Sequence, residues 1–232
     1  MEASRINAIA APTPSVFARR RFLGILTLDT QFPRLVGDIG NPASFAVPAR
    51  SRVVRGARPE LVVQSAAGQQ EAGLLAPFLE AMHELEREGS AAITTSCGFL
   101  VLMQQELQAR STVPVVTSSL LLVPGLLESH RRVGVLTVSA RHLDGEFLAA
   151  AGVPASRMSD VVVEGVDAAG EFAQVFLGNR RTMDFARAQR DVVEAAQRLA
   201  ARAPDVTQLV LECTNMPPYV RAIEAATGLR CW

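Results

Sequence analysis

The sequence predicts an α/β protein built as two pseudo-symmetric halves, each a parallel sheet with helices, facing each other across a central cleft. Three observations carry this expectation. From Phe22 onward, short apolar runs alternate with segments whose apolar residues recur at helical spacing, the pattern of repeated βα units. Two stretches, Ala91-Ala-Ile-Thr-Thr-Ser-Cys97-Gly-Phe-Leu100 and Gln208-Leu-Val-Leu-Glu-Cys213-Thr-Asn-Met-Pro-Pro-Tyr219, each run an apolar strand into a cysteine and then into a helix-like pattern. The spacing that separates Cys97 from Cys213 also separates Val113 from Leu229, and Leu23-Gly-Ile-Leu-Thr27 matches Val133-Gly-Val-Leu-Thr137. Matched features in the same order imply an internal duplication.

The elements follow in order. Residues 1–20 mix Ala, Pro, Ser and Arg without periodicity and predict a flexible tail. The first α/β half is placed at 21–118, the second at 119–226, and a final strand at 227–232, which could return to the first half. Phe22 to Leu28 is an unbroken apolar run, as in a strand buried on both faces of a parallel sheet. The polar, Pro- and Gly-rich stretch from Asp29 to Pro42 predicts a long loop at a strand end, where function concentrates. Short strands are predicted at Arg52 to Arg55 and Glu60 to Gln64. Leu74, Leu75, Phe78, Leu79, Met82 and Leu85 predict a helix within Glu71 to Glu88. Next come a strand at Ala91 to Thr95, a helix at Phe99 to Ala109, a strand at Pro114 to Val116 and a helix at Leu120 to Glu128. The second half reads as strand Val133 to Val138, helix Ala140 to Ala150, strand Asp160 to Glu164 and helices Ala168 to Leu177 and Thr182 to Arg202. Strand Val206 to Leu211, helix Val220 to Ala226 and a strand from Leu229 complete it.

Composition removes several classes of function. The 232-residue chain is 49% apolar with a formal net charge of zero, so a sizeable core is expected and nothing favours nucleic acid. Its basic residues are all Arg. Without Lys there is neither a pyridoxal-phosphate Schiff base nor a Walker A loop. Three cysteines argue against a disulfide framework, and the scattered His83, His130 and His142 show no metal-ligand spacing. A reducing cytoplasm is the expected location. Arg19-Arg20-Arg21 looks like a twin-arginine export signal, but Asp29 breaks the apolar run behind it and no cleavage site follows. No run reaches the roughly 18 apolar residues of a membrane span, so no membrane association is expected.

The candidate chemistry sits at the two cysteines. A thiol at the carboxyl end of a parallel strand lies beside helix N–H groups, which favour anions and can lower its pKa. Two cysteines at matching positions point to function; Cys231, at the end of the last strand, reads as core, and His83 as a solvated or packing residue. Asp29 either orients the Cys97 thiol or caps a turn. Glu212, directly before Cys213 on an apolar strand, is a buried carboxylate in search of a partner, and Phe99 could line an apolar pocket.

Thr95-Ser96-Cys97-Gly-Phe and Leu211-Glu-Cys213-Thr-Asn215, with Gly24-Ile-Leu-Thr-Leu-Asp29-Thr30 before them, resemble the aspartate/glutamate/hydantoin racemase superfamily of the two-cysteine, cofactor-independent type. The resemblance covers Phe22 to the C-terminus. It implies an isomerase of the PLP-independent amino-acid racemase kind, needing no cofactor, with an aspartate-, glutamate- or hydantoin-like substrate between the halves. It implies that Cys97 and Cys213 are the two acid/base thiols, one on each face of the substrate. It places Asp29, Thr30, Ser96, Gly98, Phe99, Thr137, Val138, Thr214 and Asn215 at the substrate, and no metal. Two departures stand out. The superfamily more usually has Cys-Asn-Thr where this chain has Cys97-Gly98-Phe99, and similar proteins continue past the last strand into a further helix. A second subunit closing the cleft, as a homodimer, is one expectation from that ending. Decarboxylation and maleate-type cis–trans isomerisation are rivals within the superfamily. A non-catalytic small-acid binding protein is the rival of another class.

Overall fold

A computed structural model describes residues 21–232, so the predicted tail at 1–20 lies outside the described residues. Two four-stranded, wholly parallel sheets form the frame. The first carries β1 (Phe22–Leu28), β2 (Ala49–Val54), β3 (Ser90–Thr95) and β4 (Val115–Val116) in the order β2-β1-β3-β4. The second carries β5 (Val133–Thr137), β6 (Val161–Gly165), β7 (Gln208–Leu211) and β8 (Arg230–Cys231) in the order β6-β5-β7-β8. The orders coincide when β1 is matched to β5 and each later strand to its counterpart, as an internal duplication requires. The last strand therefore does not return to the first half: β8 pairs in parallel with β7, Gln208 opposite Arg230 and Leu209 opposite Cys231.

Helices fill the crossovers. In the first half they are α1 (Pro59–Val62), α2 (Ala66–Glu71), α3 (Leu75–Arg87) and α4 (Gln104–Arg110), and α5 (Val123–Ser129) leads into the second. In the second half they are α6 (Gly145–Ala150), α7 (Glu171–Phe176), α8 (Phe185–Arg202) and α9 (Val220–Thr227). Helix α3 buries Phe78, Ala81, Met82 and Leu85 on one face, the stripe its periodicity predicts. Helix α8 buries Ala188, Val192, Ala195, Ala196 and Leu199, and these small side chains let it lie close to its sheet. Its exposed edge is tied down where Arg198 and Arg202 both reach Glu164 of β6.

Local chemistry sets the boundaries. The Asp144 side chain caps α6 by accepting from the Glu146 N–H, and Asp184 caps α8 by accepting from Arg187 N–H, so both helices start later than the apolar pattern alone suggests. Gly228 ends α9 in the left-handed region at φ 69°, which glycine enters without penalty. The strand predicted over Glu60 to Gln64 is a correction: Pro59 occupies the first turn of α1 there, a position where its fixed φ suits a helix and its missing N–H is no loss. Behind Cys97 the predicted helix begins as a 3-10 turn at Gly98–Met103 before α4, and behind Cys213 only a short 3-10 turn, Pro217–Tyr219, precedes α9.

The duplicated glycines have a packing role. A Cβ on Gly24 of β1 would lie 2.7 Å from Ile93 Cδ1 and 3.0 Å from Leu85 Cδ1; one on Gly134 of β5 would lie 3.0 Å from Leu199 Cδ2 and from Leu209 Cδ1. In each half the glycine lets the long helix, α3 or α8, settle onto the central strand. Gly24→Val and Gly134→Val should each lower stability by about 1–3 kcal/mol through overpacking, measurable by denaturant unfolding.

Candidate functional site

The carboxyl ends of the two sheets meet edge to edge, where ligands bind in parallel α/β proteins. Five hydrogen bonds join the halves there, and a sixth, from Ser119, ties the start of the second half to β7. Thr214 Oγ1 donates to Ser96 O at 2.6 Å, Ile39 N to Thr214 O at 3.2 Å and Ser119 Oγ to Leu211 O at 2.7 Å. Asn215 Nδ2 donates to Asp38 Oδ2 at 2.6 Å, Gln31 N to Asn179 Oδ1 at 2.6 Å and Arg181 Nε to Gln31 Oε1 at 2.6 Å. Between them lies a cleft lined by Ser96, Cys97, Gly98 and Phe99 of the first half and Val138, Glu212, Cys213, Thr214 and Asn215 of the second. Phe32, Phe176, Leu28, Pro59, Val63 and Leu177 complete its apolar wall. It is nearly shut, with about 30 Å³ of free space, room for one or two waters. A substrate enters only if the walls part.

Both cysteines reach this cleft, with Cys97 9% and Cys213 7% exposed. The expectation that their surroundings lower the thiol pKa is not met. Burial pushes the Cys97 thiol up, and the Glu212 carboxyl adds to it; the Phe99 N–H and the Arg34 charge work the other way. Burial and Glu212 also push Cys213 well up, with further contributions from Cys97 and Asp38, against the Asn215 N–H. The amides behind each cysteine do aim at sulfur, as parallel strand ends dictate, but two thiols and a carboxyl enclosed together outweigh them. The two thiols differ in their partners. Cys213 Sγ donates to Asn215 Oδ1 at 3.6 Å, an interaction open only to the protonated form. Asn215 is turned this way because its amide donates to Asp38.

Glu212 lies at the centre. It is fully buried. Its Oε2 accepts from Thr137 Oγ1 at 2.6 Å, and its Oε1 meets no donor among the described residues. The arginine partner that a buried carboxylate would be expected to need does not take that place. Burial raises its pKa to about 8, against the opposing Thr137 hydrogen bond. The carboxyl presses on Gly98: a Cβ there would overlap both the Glu212 carbonyl oxygen and Oε1. The glycine of Cys97-Gly98-Phe99 is thus the space that Glu212 fills from the other half.

The remaining predicted residues divide. Ser96, Gly98, Phe99, Val138, Thr214 and Asn215 line the cleft. Thr137 stands behind it, holding Glu212. Asp29 and Thr30 do not line it: Asp29 Oδ2 accepts from the Gly56 N–H at 3.3 Å, and Thr30 Oγ1 accepts from Arg34 at 3.1 Å. The same loop brings in another pair, Arg34 and Asp38, which no motif marks in the sequence. Arg34 and Asp38 form an ion pair at 3.0 Å with Asp38 2% exposed; Arg34 also donates to Ser96 Oγ at 3.3 Å and lies over the Phe32 ring at 4.8 Å. The length and polarity of the loop were the available signal. Cys231 is half-buried in β8, away from the cleft lining. Among the described residues no group of three or more His, Cys, Asp or Glu side chains is placed to hold a metal ion, and no helix is long and apolar enough to cross a membrane.

No protein-family model matches the chain. Among solved structures it resembles arylmalonate decarboxylase, with a TM-score of 0.57 and 16% identity over 91% of this chain and 86% of that one. It also resembles glutamate racemase RacE1 from Bacillus anthracis, with a TM-score of 0.57 and 18% identity over 92% and 76% of the two chains. Allantoin racemase from Pseudomonas fluorescens gives a TM-score of 0.54 at 15% identity over 90% and 84%. At these identities the likeness establishes the fold alone, two parallel α/β halves around a cleft. Among curated proteins, the chain is 31% identical over 214 residues to a dimethylsulfoniopropionate lyase of Durusdinium sp. clade D, covering 89% of this chain and 69% of that protein. It is 28% identical over 215 residues to dimethylsulfoniopropionate lyase 7 of Emiliania huxleyi, of which it spans 62%. It spans 55% of a second Emiliania huxleyi relative, dimethylsulfoniopropionate lyase 6, at 30% identity. With a cysteine-lined cleft on a racemase-type fold and this level of identity, the chain belongs to the dimethylsulfoniopropionate lyase family.

Proposed function

We propose that the chain is a cofactor-independent lyase that eliminates a β-onium group from a small carboxylate, with dimethylsulfoniopropionate as the substrate to test first. The observation that carries this reading is one small cleft, in a chain of this family, combining two thiols, a buried carboxyl with no cationic partner, and an aromatic wall. The substrate's name describes a molecule with a sulfonium on the β carbon and a carboxylate at the other end. A base removes a proton from the α carbon, and the C–H electrons form the α,β double bond. The C–S bond breaks, and its electrons leave on sulfur. The products are dimethyl sulfide and acrylate, with the proton left on the base. Because the sulfide departs neutral, no acid need assist it. Racemisation, by contrast, needs a base on one face and an acid on the other.

Cys97 is the base in this reading. The Arg34 charge and the Phe99 N–H both favour its thiolate, whereas Cys213 uses its proton to bond Asn215 and faces additional negative neighbours. Backbone N–H groups behind the cysteines take the substrate carboxylate, onto which charge spreads as the α proton leaves. Ser96, Gly98, Thr214 and Asn215 shape that end. Phe32, Phe99 and Phe176, with Val138, surround the sulfonium methyls, where ring faces attract a desolvated cation. The two thiols in one cleft favour a second reading, inversion at the α carbon of a small amino acid or hydantoin.

Incubation with dimethylsulfoniopropionate should release dimethyl sulfide into the headspace, measured by gas chromatography. Cys97→Ser should lower kcat by about 10²–10⁴-fold, and Cys213→Ser by less. Absence of dimethyl sulfide, together with α-deuterium incorporation into an amino acid in heavy water, would favour inversion instead. Because burial and Glu212 hold both thiols above the ordinary thiol range of about 8.5, kcat/KM should climb with pH without levelling there. Gly98→Ala should cut activity by at least about 100-fold and lower the melting temperature, because the Cβ meets Glu212 backbone that cannot yield.

A further inference from the structure

Glu212 is more than the residue before a cysteine. It is enclosed in the wall of the cleft, one carboxyl oxygen is bound by Thr137, and the other meets no donor. A buried polar atom left unpartnered is costly, and ligand sites are where such costs recur. The titratable groups that interact with it are the two thiols: Cys213 follows it at the end of β7, and Cys97 faces it from the end of β3. The charged groups beyond act on the thiols, Arg34 on Cys97 and Asp38 on Cys213, and these two are paired with each other in the loop after β1; Tyr219, just before α9, faces Cys213. Arg34 is therefore already engaged, and the other groups are acids. Among the described residues no cation pairs with Glu212, so a positive charge brought by the ligand would be its partner.

Resting on the elimination reading, we propose that Glu212 is the counter-ion of the substrate's onium head: its free Oε1 pairs with the cation while Phe32, Phe99 and Phe176 enclose the methyl groups. Glu212 is then a specificity-determining residue distinct from the thiols. With the cleft closed and no cation in it, the carboxyl is held neutral up to about pH 8 by burial. An arriving onium favours the carboxylate, so its binding releases a proton. The sign is fixed: onium affinity rises as pH rises toward 8 and levels above it, by up to about tenfold per pH unit for one linked proton. Burial and the Glu212 carboxyl push both thiols up as well.

The test uses β-(trimethylammonio)propionate, whose amine is a far poorer leaving group than a sulfide, with trimethylamine release monitored so that only intact ligand is counted, and its carbon isostere with an uncharged head, β-(tert-butyl)propionate. Calorimetry on the parent protein should show the onium ligand preferred by at least about tenfold at pH 8, the preference growing from pH 6 upward. About one proton should be released per onium bound, read from the buffer dependence of the heat. In Glu212→Gln the preference should fall to about twofold or less and lose its pH dependence. As a check on folding, the melting temperature of the parent should fall relative to Glu212→Gln as pH rises from 4.5 toward 8, the window set by the raised carboxyl. If the preference survives in Glu212→Gln, moves instead with Cys97→Ser, or is flat with pH in the parent, the proposal is overturned. The parent's pH profile and proton release decide the matter even if the variant does not fold. Onium preference without dimethyl sulfide release would sink the elimination and leave the counter-ion role standing; release with an unchanged preference in Glu212→Gln would do the reverse.

Discussion

The approach of Glu212 to Gly98 is the contact on which the rest of this molecule depends. It brings the last residue before one cysteine against the first residue after the other, and so fixes the distance between the two strand ends. A side chain on Gly98 would force the sheets apart. With glycine there, Thr214 reaches Ser96 and Asn215 reaches Asp38, and the cleft closes to the size of a water or two. The duplicated strand glycines act upstream of this contact. They let α3 and α8 settle on the central strands, which holds the two edges where they can meet.

That closeness has an electrostatic consequence. Two thiols and a carboxyl share one enclosure, with Arg34 held at its margin by Asp38. Each charge raises the cost of the next, so the enclosure is neutral until something positive enters. The helix-terminal amides that normally favour a thiolate are present but outweighed. In the proposed reaction the substrate itself supplies the missing charge, which couples the acidity of the site to its occupancy. A neutral acid of the same shape would leave the enclosure protonated.

Much of this could be read from the chain. The echo of Cys97 in Cys213, and of Gly24 in Gly134, follows from a duplication whose two halves solve the same packing problem, so the two parallel sheets and the strand ends that carry the cysteines were legible, whereas the strand order within each sheet was not. What was not legible depended on contacts between the halves. Asp29 follows β1 directly and looked like the acid of the loop, yet it turns to the Gly56 amide; Asp38, nine positions on, is carried inward by Arg34 and Asn215. Gly98 looked like a lost polar residue, whereas its missing side chain is matched by Glu212 from the other half. The last strand could, on the sequence, have returned to the first half. β8 instead repeats the position of β4, because the duplication extends to the final strand.

A pseudo-symmetric fold offers two equivalent thiols, and the interest of this one lies in how the equivalence is broken. Cys97 looks toward Arg34; Cys213 is bound to Asn215 and lies among acids. Inversion asks each thiol both to give and to take a proton, one role in each direction. Elimination makes no such demand, since one base suffices and the leaving group carries off its own electrons. The Asp38–Asn215 pair, which supports Cys213 in its protonated form, is thus a feature that elimination readily tolerates. The network that closes the two halves is also what makes their thiols unequal.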